Sequence, residues 1–143
     1  MKYAIALAAL LAGCATAPGP EPELPPVQTP ETAPAPRSEN VAIAGLMESA
    51  RADVAAGRLA NAAASLERAL RIEPRNPRLW QELARVRLKQ GQYAQAESVA
   101  ARSNSWAGSD NALRAENWRL IAEAREARGD AEGARQAREL STR

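Results

Sequence analysis

The chain has 143 residues, of which 25% are charged and 3% are aromatic, and its formal net charge is +2. It contains no histidine and a single cysteine. This composition lacks the most common general base and the usual zinc ligands and rules out an intramolecular disulfide, so we expect neither an enzyme nor a metal-binding protein.

The first predicted element is an N-terminal export signal that ends at the cysteine. Lys2 precedes an apolar run over residues 4–11, which is the layout of a secretory signal peptide. The run is too short to cross a bilayer, because a membrane span needs about 20 apolar residues. It leads into the sequence LAGC, which ends at Cys14 and resembles a bacterial lipobox. The resemblance implies that residues 1–13 are removed and that Cys14 carries acyl chains on its thiol and on its new N-terminus.

The alternative is an ordinary signal peptide in which the cysteine is incidental. If Cys14 is lipidated, the membrane anchor is stable, because two or more acyl chains hold a protein at a bilayer where one chain does so only marginally. The next residue is Ala15 rather than Asp. By resemblance to Gram-negative lipoproteins, this implies an outer-membrane location, with the protein facing the periplasm.

Residues 14–40 are predicted to form a disordered tether. Eight of the ten prolines in the chain fall between Pro18 and Pro36. Proline favours extended, solvated polyproline II, and the segment has too few apolar groups to form a core. At ~3.1 Å per residue, a tether of this length reaches on the order of 75 Å. A recognition motif is the alternative, since PELP at residues 22–25 matches the pattern PxxP.

From residue 41 onward the composition shifts to Ala, Leu, Arg and Glu, and an internal repeat becomes visible. Glycines recur at Gly57, Gly91 and Gly129, each with an alanine five residues later and a large apolar residue eleven residues earlier. This pattern resembles the tetratricopeptide repeat, a helix hairpin of about 34 residues. The resemblance implies an all-α fold of three stacked hairpins, a short solenoid. The repeats are placed at about 43–76, 77–110 and 115–143.

Local signals for helix ends agree with this interpretation. Asn76 followed by Pro77 indicates a helix start, Asp130 indicates another, and Gly91 indicates a helix stop. The last helix is polar on most sides, which suits a terminal cap. We therefore predict a helical domain over residues 41–143. Its helices are expected at about 40–56, 60–72, 77–90, 93–103, 111–128 and 131–141.

The third glycine follows the second by 38 residues, whereas the first interval is 34 residues. We place the extra residues in a loop over 103–110, because Ser, Asn, Gly and Asp are concentrated there. Trp106 lies inside this predicted loop. It either packs against the hairpin junction or is exposed as an anchor for a partner.

The function is expected to lie on a surface. In tetratricopeptide repeats the first helix of each hairpin lines a groove that binds polypeptide, which implies a protein partner rather than a small-molecule substrate. The groove positions carried over are Met47, Arg51 and Val54 in the first repeat, Arg78, Gln81, Arg85 and Leu88 in the second, and Arg119, Glu123 and Glu126 in the third. Arginines at these positions can bind carboxylates in pairs, or they are simply the usual surface cation of this chain.

Nucleic acid and nucleotide cofactors are not expected. From residue 41 to 143 there are 16 Arg and Lys89 against 13 acidic residues, a net charge of +4. Much of this charge is interleaved with Glu at helical spacing, which supports helices rather than a DNA-binding stripe. Neither a G-x-G-x-x-G motif nor a P-loop occurs, so no cofactor is predicted.

The layout as a whole resembles one particular kind of repeat protein. The segments LERALRIEPRNPRLWQELARVRLKQGQYAQAESVA, SNSWAG and ENWRLIAEA are similar to the tetratricopeptide lipoprotein activators of class A penicillin-binding proteins, the LpoP kind. The resemblance implies an outer-membrane protein that reaches through the cell wall and stimulates a bifunctional peptidoglycan synthase. The alternatives are a pilot lipoprotein for an envelope machine such as a type IV pilus secretin, and a small structural lipoprotein that binds peptidoglycan.

Overall fold

The structure is a computed structural model that describes residues 36–142, with side chains from residue 41 onward. The predicted signal peptide, Cys14 and most of the predicted tether lie outside the described residues. Between residues 36 and 142 the fold is all-α, as predicted. Its helices are α1 (Pro36–Ala55), α2 (Leu59–Ile72), α3 (Pro77–Lys89), α4 (Tyr93–Trp106), α5 (Asn111–Ala127) and α6 (Ala131–Leu140). None of these helices is both long and apolar enough to cross a membrane.

The helices form three hairpins that stack in chain order. The hairpins are α1 with α2, α3 with α4 and α5 with α6, and neighbouring hairpins meet through α2 with α3 and α4 with α5. A left-handed glycine follows the first helix of each hairpin, with φ of 72° at Gly57, 73° at Gly91 and 83° at Gly129. Glycine adopts this conformation without the steric cost of a Cβ atom. The predicted helix stop at Gly91 is therefore confirmed, and Gly57 and Gly129 have the same conformation.

Side-chain caps begin three of the helices. Asn76 Oδ1 accepts a hydrogen bond from the backbone N–H of Arg78 at 3.0 Å. Asp110 Oδ1 accepts one from Leu113 N at 2.9 Å, and Asp130 Oδ1 accepts one from Gly133 N at 2.8 Å. Each cap satisfies an amide that has no partner within its own helix. The predicted caps at Asn76 and Asp130 are confirmed.

The interior is rich in alanine. Ala62, Ala96 and Ala134, the residues five positions after the three glycines, are at most 1% exposed. Such small side chains let the two helices of a hairpin approach closely. Larger apolar residues form two clusters, one centred on Leu66 and Leu79 and the other including Leu120 and Ile121. Each hairpin therefore depends on its neighbour to cover its apolar face, as expected for a repeat solenoid.

The prediction of a loop over residues 103–110 is wrong for residues 103–106, which are helical, whereas residues 107–110 do connect α4 to α5. Helix α4 continues to Trp106 and has 14 residues, the same length as α2. The extra residues instead lengthen α5, which has 17 residues where α3 has 13. They form its first turn, residues 111–114, which we call the extra turn. Ala, Leu and Arg are good helix formers and Asp110 caps the helix, so this segment favours a helix over a loop. Helix α1 also begins earlier than predicted, at Pro36 rather than at residue 40.

Candidate protein-binding surface

The predicted groove residues of the first repeat come together in one cavity. Met47 and Val54 are half-buried, and with Arg51 they line a space of about 210 Å³. Glu82 and Val86 of α3 complete the wall of this cavity. Side chains on the first helices of two neighbouring repeats therefore form a single concave site.

A second cavity of about 240 Å³ lies between α3 and α5. It is lined by Arg85 and Leu88, which were predicted to be in the groove, and by Lys89 and Leu120. The fifth lining residue, Glu123, was also predicted. We call the surface formed by α1, α3 and α5 around the two cavities the first-helix surface.

The first-helix surface carries charges that remain open to solvent. Arg51 pairs with Glu48 at 3.7 Å and Arg119 with Glu116 at 2.9 Å, and both arginine side chains are 64% exposed. Exposed pairs of this kind contribute little to stability. Because the guanidinium groups of Arg51 and Arg119 are largely exposed, they keep N–H donors available for the carboxylates of a partner.

Three other charged residues that were predicted for the groove form ion pairs between different parts of the domain. Arg78 is 73% exposed and pairs with Asp110 at 3.7 Å, close to where α3 begins. Arg85 is half-buried and donates to Glu116 at 3.0 Å, which links α3 to α5. Glu126 pairs with Arg138 of α6. Glu126 therefore joins the two helices of the last hairpin.

The prediction that Gln81 faces the groove is wrong, because this residue is only 8% exposed. Its Nε2 donates to Asn117 Oδ1 at 3.1 Å and lies 3.5 Å from the carbonyl oxygen of Leu113. Leu113 belongs to the extra turn of α5. Met47 occupies the equivalent position in the first repeat, where no such turn covers it. The 38-residue glycine interval was the sequence signal of this difference.

Gln81 belongs to a buried polar network that sequence reasoning missed. Asn117 is fully buried, and its Nδ2 donates to Ser103 Oγ at 2.7 Å and to Asn104 Oδ1 at 2.9 Å. Ser103 Oγ in turn donates to the carbonyl oxygen of Pro77 at 2.7 Å. We call Gln81, Ser103, Asn104 and Asn117 the polar seam. Most of these buried amide and hydroxyl groups bind one another, which makes their burial tolerable, whereas Asn104 Nδ2 is buried without a partner among the described residues.

Trp106 is the last residue of α4 rather than part of a loop, and it is 40% exposed. The guanidinium carbon of Arg75 lies 5.2 Å from the centre of its ring. Of the two sequence-based alternatives, the structure favours the exposed side chain. Its position at the end of a second helix separates it from the first-helix surface.

Residues 36–142 contain no group of three or more acidic, Cys or His side chains close enough to hold a metal ion. What the stacked hairpins offer instead is a surface with two cavities and charged side chains around them. This arrangement can bind a polypeptide, because apolar side chains of a partner fit such cavities while its polar groups meet the charged edge.

Stacked hairpins with this glycine and alanine pattern define a tetratricopeptide-repeat protein, and a tetratricopeptide-repeat family model matches residues 53–116. No curated protein gives a significant match. Among solved structures, the globular C-terminal domain of P. aeruginosa LpoP aligns with a TM-score of 0.69 and 48% sequence identity. The alignment covers 71% of this chain and 95% of that domain. The chain therefore belongs to the LpoP family of tetratricopeptide-repeat proteins, and its helical domain is a protein-interaction module.

Proposed function

We propose that this protein is a lipid-anchored, periplasm-facing protein of the outer membrane that binds and activates a class A penicillin-binding protein. The 48% identity to the LpoP domain, over 95% of that domain, carries the proposal. Resemblance to the lipoprotein activators of class A penicillin-binding proteins then implies the partner and the effect. The protein acts by contact and performs no catalysis itself.

The N-terminal sequence supports the envelope location. Cys14 follows an apolar run and a lipobox-like sequence, and lipid chains at this residue fix one end of the protein in the membrane. The proline-rich segment then lets the helical domain meet a partner some distance away. Anchoring also raises the local concentration of the domain near that partner.

The first-helix surface is the proposed contact site. Its two cavities accept apolar side chains of the synthase, while Arg51 and Arg119 bind carboxylates beside them. Arginine suits this role because its planar guanidinium group binds a carboxylate through two parallel hydrogen bonds. Activation follows if the complex favours the active conformation of the synthase over the inactive one.

The test is to measure glycan polymerisation by the cognate synthase with and without the lipid-free chain that starts at residue 15. We expect stimulation by the wild-type chain. The double variant Arg51→Glu/Arg119→Glu is expected to need about tenfold more protein for the same effect, since one lost charge-assisted contact corresponds to about that factor. Arg135→Glu/Arg138→Glu, which reverses two exposed arginines of α6, is the matched charge-reversal control and should behave as wild type.

Failure of the wild-type chain to bind or stimulate the synthase contradicts the proposal. A pull-down from detergent-solubilised envelope then identifies the alternative. Recovery of a secretin indicates a pilot lipoprotein, whereas recovery of murein fragments alone indicates a structural wall-binding protein.

A further inference from the structure

A second candidate surface lies on the other helix of each hairpin. A cavity of about 630 Å³ is bounded by α2, α3 and α4, and we call it the second-helix cleft. Its apolar lining comes from Leu70, Pro74, Trp80, Leu83 and Val99. A cavity of this volume is large enough for one or more large apolar side chains.

Arginines surround this cleft. Arg71 is one of its lining residues. The guanidinium carbon of Arg102 lies 5.0 Å from the ring centre of Trp80, another lining residue. Arg75 directly follows Pro74 and stacks on Trp106 at 5.2 Å. The cleft therefore combines an apolar floor with the guanidinium groups of Arg71 and Arg102 at its edge, and Arg75 lies beside it, next to the lining residue Pro74.

These arginines differ from most others in the domain because they have no acidic partner among the described side chains of residues 41–142. Between residues 41 and 142, ten of the 16 basic side chains form an ion pair within 4.0 Å. The six without one are Arg68, Arg71, Arg75, Lys89, Arg102 and Arg114. Three of these lie at or beside the cleft, and Arg68 lies one helical turn before Arg71. The acid of the cleft, Glu67, is already paired with Arg87, so the edge carries a net positive charge.

Exposed apolar side chains lie at the same end of the hairpins. Ile72 ends α2 and is 37% exposed, and Trp106 ends α4 and is 40% exposed. The two residues occupy equivalent positions, 34 residues apart. Exposed aromatic and aliphatic side chains beside unpaired arginines match the composition of protein-binding sites, in which aromatic residues and Arg are enriched.

We infer that the second-helix cleft binds an acidic peptide segment of a partner protein, with a large apolar side chain in the cleft and carboxylates on Arg71, Arg75 and Arg102. Charge complementarity selects this occupant, because each unpaired guanidinium group offers donors in the geometry that a carboxylate accepts. This surface is separate from the first-helix surface, so the inference does not depend on which protein the latter binds.

Two other occupants fit less well. A lipid bilayer presents a broad surface and cannot fill a concave cleft between helices. Wall glycan needs hydroxyl-binding polar groups and an open aromatic face, whereas the cleft floor is apolar and each indole ring already has a guanidinium group over it. A peptide with Glu or Asp beside Leu, Ile or Phe satisfies both the floor and the edge.

The test uses the full lipidated chain in nanodiscs of neutral phosphatidylcholine and three short fluorescent peptides. One peptide carries Glu and Leu at helical spacing, the second has Lys in place of Glu, and the third has Ser in place of Leu. We expect the Glu–Leu peptide to bind at least about tenfold more tightly than the other two, with an affinity that falls as salt rises. The variant Arg71→Gln/Arg75→Gln should weaken this binding about tenfold, the effect of losing one charge-assisted contact or more.

The matched control is Arg135→Gln/Arg138→Gln, which removes the same charge from α6, a helix that does not line the cleft, and should leave the affinity unchanged. Thermal unfolding followed by circular dichroism verifies that both double variants are folded. Absence of Glu–Leu binding, equal binding of the Lys–Leu peptide, or an unchanged affinity in Arg71→Gln/Arg75→Gln would overturn the inference. The inference would also be overturned if phosphatidylglycerol vesicles or soluble muropeptides bound more tightly than the Glu–Leu peptide and lost this binding in Arg71→Gln/Arg75→Gln.

Discussion

At the scale of single residues, the polar seam is the feature that most clearly distinguishes the third repeat from the second. Asn117 lies where the second repeat has the fully buried Leu79. A lone amide at such a position is costly, but here its donors and acceptor all find partners on α3 and α4. The helix caps were predictable from sequence because a cap acts within three residues of itself. The burial of Gln81 was not, because it depends on a turn of another helix.

The seam makes Asn117 sensitive to truncation. Asn117→Ala leaves the Gln81 amide and the Ser103 hydroxyl short of partners and opens a small cavity, so we expect a loss of about 2–4 kcal/mol in the free energy of unfolding. Urea denaturation of the variant and the wild type measures the difference. Asn61→Ala, at an exposed position on α2, is the control and should change stability by less than about 0.5 kcal/mol. A loss that small for Asn117→Ala would show that the seam contributes little.

At the scale of helices, length and register decide which side chains are accessible. The α2–α3 and α4–α5 connections are equally long, so the four extra residues of the second glycine interval lie in the first turn of α5. Composition placed the extra residues in the segment just before this turn, where Ser, Asn and Gly occur, although the predicted helix over 111–128 already included the turn. The helix propensity of residues 112–114 and the cap at Asp110 favour a helix here, and Leu113 adds buried contacts.

Two glycines in the same domain are expected to respond to alanine in opposite directions. Gly91 has φ of 73°, so Gly91→Ala places a Cβ in the left-handed region and should destabilise the fold by about 1 kcal/mol. Gly45 lies within α1, and a Cβ atom added there would meet nothing within 4 Å beyond the backbone of its own helix. Gly45→Ala should therefore stabilise the fold by about 0.5–1 kcal/mol. Thermal unfolding of both variants measures this contrast, and shifts of the same sign would contradict the assignment of the two backbone conformations.

At the scale of the whole molecule, the all-α class, the three hairpins and the glycine stops were predictable because each arises from a short, repeated pattern. The surface was less predictable. Repeat alignment located some of the residues that line each cavity of the first-helix surface, but it could not reveal which arginines lack an acidic partner. That depends on side chains brought together from different helices, as for Arg85 with Glu116 or Arg125 with Glu97.

The proposed anchor and tether lead to a prediction in cells. Deleting residues 19–30 shortens the tether by roughly 37 Å at ~3.1 Å per residue. We expect the shortened protein to remain lipidated and to stimulate the synthase in solution as wild type does, yet to lose its cellular function because the domain no longer reaches its partner. Cell-wall labelling and mass spectrometry of the N-terminus measure the two properties.

Replacing the deleted segment with a Gly/Ser segment of equal length should restore the cellular function, since only reach is required. A Cys14→Ser variant serves as the unanchored control and should be released from the membrane fraction. Full cellular activity of the shortened protein would contradict a role for tether length.

The polar seam also limits how such a domain can diversify. Solenoids are commonly regarded as interchangeable units that evolution duplicates, deletes or shuffles. Here Gln81 of the second hairpin donates a hydrogen bond to Asn117 of the third. A copied hairpin inserted between them would leave both amide groups without these partners in an apolar interior. A copied hairpin is therefore not tolerated between the second and third hairpins, and these two hairpins persist as one inherited block, whereas the array can lengthen elsewhere.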